Sequence, residues 1–199
     1  MKPEAIAQSR ERLQKAEAAV VRMRTAKNFY AAESAWLDFL LAASSVYSKL
    51  EKGTKGDGRS EAWFGRIKHE RRTDELLSYI HHARNADEHG IERITERKPG
   101  YLAIKGDVML NGSIGPGQRL HIQPINPTPE KPFSIEWQNP HIKLVPVVDD
   151  RFNDTFQPPK THKSKSLEND SLQLVADLGL AYLRELVAAG AEFIPPLKR

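Results

Sequence analysis

NFYAAESAWLDFLLAASSVYSKL, residues 28–50, carries a broad apolar stripe at helical spacing. Ala32, Trp36, Phe39, Leu40, Ala43, Val46, Tyr47 and Leu50 recur at helical intervals, and Asn28 stands where a helix cap belongs. The pattern predicts a helix over 28–51 with one wide face buried. A face that wide needs other helices to cover it, so the chain reads first as a helical bundle.

The flanking sequence supplies those helices. Ile6, Leu13, Ala16, Val20 and Met23 predict a helix over 4–24, and the very short connection to the next makes the two antiparallel neighbours. GTKGDG (53–58) is a glycine-rich connection whose spacing does not fit a phosphate loop. Ser60 is the expected cap of a third helical region running to about His89. Trp63, Phe64 and Ile67 form its first apolar patch, and Leu76, Leu77, Ile80 and Ala83 its second. The polar HERRTDE between them predicts a break near Arg72–Thr73 or a solvated middle, with Thr73 as a fresh helix start and Gly90 as the stop. A last helix over 167–191 buries Leu172, Val175, Gly179, Tyr182, Leu183, Leu186 and Val187, and Pro195–Pro196 prevents its continuation.

From Tyr101 to Val148 the pattern changes to short alternating runs such as Leu120–Ile122 and Phe133–Ile135–Trp137. Pro124, Pro132, Pro140 and Pro146 confine these to edges or short strands. The expectation is a small antiparallel sheet of three to five strands leaning on the helices. DRFNDTFQPPKTHKSKS (150–166) shows no period and reads as a linker. The fold class expected is therefore mainly α: a helical bundle with a small antiparallel β-sheet inserted before the last helix. Residues 1–199 form one domain on this reading, with the bundle at 4–95 plus 167–194 and the β insertion at 100–150.

Composition narrows the function classes. The absence of cysteine excludes disulfides and thiolate metal sites, and no run approaches the ~20 apolar residues of a membrane span. The expectation is a cytoplasmic protein with no membrane partner. The formal net charge of +4 suits a phosphate-bearing partner and equally a solvated surface.

The chemistry concentrates in YIHHARNADEHG, residues 79–90. On a helix His81, Asn85 and His89 lie one turn apart on one face, and Arg84 has the reach to join them. Arginine grips phosphate through a planar fork of donors, and histidine exchanges a proton near neutrality. His81 and His82 are candidates for substrate contact. The histidines do not form H-E-x-x-H and are poorly spaced as ligands, so neither a metal nor a cofactor is expected. No G-x-S-x-G is present either. Phe133 and Trp137 have the chemistry to stack bases, although strand aromatics more often pack against helices.

RNADEH (84–89) resembles the R-x(4–6)-H signature of the HEPN superfamily, in the form with Asn after Arg. The resemblance covers this motif and a helical layout of matching order; the sheet at 100–150 lies outside the minimal HEPN bundle. It implies a metal-independent endoribonuclease of a toxin, defence or RNA-processing system, with a groove formed between two protomers. It further implies Arg84 on the scissile phosphate, His89 as general acid or base, and Asn85 orienting one of them. The partners it implies are a second copy of the chain, RNA, and an antitoxin or other protein. A different class of function is also open: a non-catalytic helical module for protein interaction or dimerisation. There Arg84 and Glu88 are an i, i+4 surface ion pair and His89 caps the last carbonyls.

Overall fold

The computed structural model describes residues 1–89, 93–105, 109–115, 119–125, 134–149 and 154–194. Two helices set its frame: α1 (Pro3–Arg24) and α2 (Phe29–Thr54). The Asn28 side chain accepts from the Ala31 amide at 2.8 Å and caps α2 as expected. The pair is antiparallel, since the Lys2 amide bonds to the Gly53 carbonyl while Arg22, near the other end of α1, bonds to Asp38. Ile6, Ala16, Val20 and Met23 of α1 meet Trp36, Phe39, Leu40, Ala43, Val46 and Leu50 of α2 in one buried core.

The next helical region is interrupted, as HERRTDE suggests, into α3 (Gly58–Thr73) and α4 (Glu75–His89). Two expected caps are displaced. Helix α3 begins before Ser60, whose buried hydroxyl donates to Asp57 Oδ2 at 2.8 Å. At the break Asp74, and not Thr73, does the capping: its Oδ1 accepts from the Leu77 amide at 3.0 Å. A carboxylate accepts better than a hydroxyl and suits the positive end of a helix. The stop expected at Gly90 lies outside the described residues. Helix α5 (Leu172–Ala191), capped by the Ser171 hydroxyl on the Leu174 amide, returns to the bundle through Val175, Ala176, Leu180, Leu183 and Leu186. Pro195–Pro196 also lie outside the described residues.

The strands do not make one sheet of three to five. The described residues hold five separate pairs. The chain leaves the helical unit through β1 (Thr95–Lys98) and re-enters through β6 (His141–Leu144), and these two pair. Between them, β2 (Tyr101–Lys105) pairs antiparallel with β5 (Ser134–Gln138), and β3 (Met109–Gly115) with β4 (Arg119–Ile125). Pro124 sits within β4 opposite Leu110, and Pro140 and Pro146 flank β6. A residue without an amide hydrogen stops the growth of a ladder, so prolines at this density leave pairs rather than a sheet.

The chain divides into two compact units, residues 1–97 with 142–199 and residues 98–141. The inserted unit is thus shorter than the expected 100–150. Residues 142–166 belong with the helices instead: β7 (Val147–Asp149) pairs with β8 (Asp154–Phe156), and β9 (Thr161–His162) with β10 (Lys165–Ser166). The stretch read as a linker is therefore partly paired. Its β9–β10 turn places Lys163 and Ser164 at φ 48° and 63°, a left-handed conformation unusual for non-glycine residues. In the inserted unit Ile135 and Trp137 are exposed, while Phe133 lies outside the described residues.

Candidate functional site

Helix α4 buries Leu76, Leu77, Ile80 and Ala83, the face its sequence spacing predicts. That orientation leaves His81 and Arg84, three residues apart, at the edge of the buried face. Both line a cavity of about 20 Å³, partly open to solvent, among α2, α3, α4 and α5. Phe39, Leu40 and Ala43 of α2 and Gly179 and Leu183 of α5 supply its apolar wall. Gly179 permits the close approach: a Cβ there would stand 2.6 Å from Ile80 Cδ1. The polar lining comes from Tyr47, Arg71, His81, Arg84 and Tyr182. Residues of four helices wall this cavity.

Arg84 is half-buried and divides its donors. Its Nη2 pairs with Glu88 one turn on, its Nη1 donates to Asn85 Oδ1 at 3.2 Å, and its Nε is buried with no partner. Asn85 therefore does reach Arg84. Helix α4 ends at His89, whose side chain lies outside the described residues, so the expected meeting of Arg84 with His89 does as well.

His81 carries the mark of its surroundings. Burial first, then the charges of Arg71, His82 and Arg84, lower its pKa to about 4. His81 is thus a neutral imidazole at pH 7. His82, paired with it in the sequence reading as a substrate contact, serves elsewhere. Its ring stacks on Phe156 at 3.5 Å between centroids with an 8° tilt, and its Nδ1 stands 3.3 Å from Asp149 Oδ2. Burial lowers the His82 pKa against the pull of Asp149. Adjacent positions on a helix diverge by about 100°, which is why one histidine faces the cavity and the other the β7–β8 pair.

Three residues of the cavity were not read from the sequence as site residues: Arg71 lay in a polar stretch, and Tyr47 and Tyr182 were read as core. Arg71 lays its guanidinium 4.8 Å from the Tyr47 ring centre, and its Nε is buried without a partner. Tyr47 is only 8% exposed, and beside the Tyr182 hydroxyl its own hydroxyl makes no well-formed hydrogen bond. Burial raises the pKa of that hydroxyl, which stays protonated and able to donate. Tyr182 stacks beside Tyr47 at 6.5 Å and donates to Glu70 Oε2 at 2.9 Å. A signal for Arg71 was present: Phe64, Ile67 and Arg71 continue one helical stripe, so Arg71 occupies an inward position of α3.

Chemically, the arrangement is a small donor-rich pocket. Two guanidinium groups and a phenol offer hydrogen bonds beside an uncharged imidazole. Among the described residues no three histidine, aspartate or glutamate side chains come together as metal ligands, and no helix is long and apolar enough to cross a membrane. Comparison of the chain with models of known families, with curated proteins and with solved structures finds no match.

Proposed function

We propose that the protein is a HEPN-like, metal-independent endoribonuclease. Arg84 would hold the scissile phosphate and offset the charge that grows on it in the transition state. His89 would relay a proton at the 2′-hydroxyl or the leaving oxygen, and Asn85 would fix the Arg84 guanidinium. Attack by the 2′-hydroxyl expels the 5′-oxygen of the next nucleotide and leaves a cyclic phosphate. DNA, without that hydroxyl, is spared. The working form on this reading is a cytoplasmic homodimer acting on RNA, under the control of an antitoxin or another protein partner.

The observation that carries the reading is Arg84 itself. It is half-buried at a cavity, Asn85 fixes one Nη, its Nε is unpartnered, and a second guanidinium lines the same space. A guanidinium held this way is pre-organised for an oxyanion. The expected result is cleavage of RNA in EDTA, abolished by Arg84→Ala and by His89→Ala with helical content retained. A wild-type protein as inert as both variants across varied RNAs would refute it. The Arg84–Glu88 pair favours the second reading, a non-catalytic interaction or dimerisation module. In that case Arg84→Ala alters self-association while RNA stays intact throughout.

A further inference from the structure

Five buried side-chain polar atoms make no well-formed hydrogen bond among the described residues: Trp36 Nε1, Tyr47 Oη beside the Tyr182 hydroxyl, Arg71 Nε, His82 Nδ1 at 3.3 Å from Asp149, and Arg84 Nε. Leaving a donor unpaired away from water is costly, so native proteins keep few of them. Three of the five, those of Tyr47, Arg71 and Arg84, belong to side chains lining the α2–α5 cavity. They come from three different helices and share one character, since all three are donors. We propose that this cavity is a binding site for a phosphate group, gripped by Arg71 and Arg84 and oriented by the Tyr47 hydroxyl.

The cavity admits part of a phosphate, and its donors suit an oxyanion. Glu88 offsets part of the Arg84 charge, whereas the contact shown for Arg71 is the face of the Tyr47 ring. Glu70 is engaged by Tyr182. The two guanidinium groups are formally matched by the Glu70 and Glu88 carboxylates, so the attraction for an anion rests on the unpaired guanidinium donors in a partly desolvated place rather than on net charge. The free volume of about 20 Å³ admits one water-sized oxygen. The pocket takes the leading oxygen of the phosphate at Tyr47, and the half-buried guanidinium groups meet the others at the rim. A planar fork suits two oxygens of a tetrahedral anion. Aliphatic and aromatic walls from Phe39, Leu40 and Leu183 keep competing water few.

The site does not depend on RNA being cut, because it uses neither His89 nor a general base. The same phosphate chemistry is borne by free phosphate, by a nucleoside monophosphate and by the internal linkage of RNA. His81 is a built-in reporter. The groups facing it are Arg71 from α3, Arg84 and His82 on its own helix, and Asp149 from β7, with Tyr47 and Tyr182 across the cavity. Adding an anion beside it must favour its protonated form.

The test is an NMR titration of the His81 ring in the full chain. Three probes are used: inorganic phosphate, a nucleoside 5′-monophosphate, and a short oligoribonucleotide without terminal phosphates. With a bound phosphate the His81 midpoint should rise from about 4 by about 1–3 pH units. A response to phosphate or the monophosphate assigns the site to a free or terminal group, and a response to the oligonucleotide alone assigns it to a diester; either supports the proposal. Arg71→Gln should weaken binding at least ~10-fold and Tyr47→Phe by less, as expected for loss of a charged and a neutral donor. If Arg71→Gln does not fold, Arg71→Lys tests the fork while keeping the charge. No His81 response to any probe, or equal affinity in wild type, Arg71→Lys and Tyr47→Phe, overturns the proposal. RNA cleavage without a His81 response would leave the nuclease reading standing and remove this site. Phosphate binding by a protein inert towards RNA would do the reverse.

Discussion

The two ends of α4 handle buried polar groups in opposite ways. At its start the Asp74 carboxylate is 8% exposed and fully engaged. It accepts from the Leu77 amide at 3.0 Å, from the Lys163 amide at 2.7 Å, and lies 3.0 and 3.1 Å from His162 Nδ1. Its neighbour Glu75 accepts from the Lys160 and Thr161 amides. Toward its end, Arg84 and the facing Arg71 and Tyr47 retain donors that make no well-formed hydrogen bond. Saturated polar groups explain architecture, because every bond they make is spent on joining the chain to itself. Unsaturated ones in the same core call for something from outside. Distance along one helix separates a clamp from a receptor.

The largest effect should come from breaking the clamp. Asp74→Ala removes a helix cap and strands the partners on the β9–β10 turn, a loss of about 3 kcal/mol. Denaturant unfolding measures it. That turn holds Lys163 and Ser164 in left-handed conformations, so without Asp74 the segment 160–166 should also exchange its amides faster. Burial pushes the Asp74 carboxyl up, but the Lys163 amide, His162 and the Leu77 amide hold it below the ordinary value. A carboxyl lowered on folding stabilises the native state above its unfolded pKa, about 3.9. That contribution disappears as pH falls through the lower folded value. Asp74→Asn should therefore unfold less steeply in acid than wild type. An unaltered acid limb would show that the clamp works through neutral hydrogen bonds alone.

The second prediction compares two tyrosines that stack on each other. Tyr182→Phe removes a hydrogen bond to a carboxylate and leaves Glu70 without it, which should cost about 1.5–3 kcal/mol. Tyr47→Phe removes a hydroxyl that makes no well-formed bond and only neighbours the Tyr182 hydroxyl, so stability should change by less than about 1 kcal/mol. Thermal unfolding of the pair measures the contrast directly. Equal destabilisation would mean that the Tyr47 hydroxyl is bonded in solution and that the cavity is already satisfied.

This contrast also marks how far the sequence could be read. The helices were legible because each repeats an apolar stripe, and Asn28 at the head of α2 is a local signal for a local bond. Arg84 and His81 were legible because their spacing on α4 is fixed by helix geometry. Arg71 was not, since a charged side chain in HERRTDE reads as solvated even though it continues the stripe of Phe64 and Ile67. Tyr47 was absorbed into the apolar face of α2, and nothing in a sequence says whether a buried hydroxyl finds an acceptor. The 150–166 strands were illegible for another reason. Their pairs are only two or three residues long, and the amides of Lys160, Thr161 and Lys163 bond to Asp74 and Glu75, more than 80 residues away, where periodicity has no access.

The smallest change in stability, and the sharpest test of the receptor end, should come from Glu88→Gln. Glu88 holds Arg84 Nη2 across one turn, with Arg84 25% and Glu88 31% exposed. An i, i+4 pair on a partly solvated helix surface is worth roughly 0.2–0.5 kcal/mol, so unfolding should barely move. The charge at the cavity should move more. The carboxylate occupies a donor that an incoming phosphate needs and cancels part of the field that attracts it. Glutamine retains the shape, drops the charge and competes poorly for the fork, so phosphate affinity should rise by about threefold to tenfold. The dependence of binding on salt should steepen with it. Affinity that falls instead would make Glu88 a support that aims Arg84 rather than a competitor for it, and the arginine would then belong with Asp74 among the groups already spent on the fold.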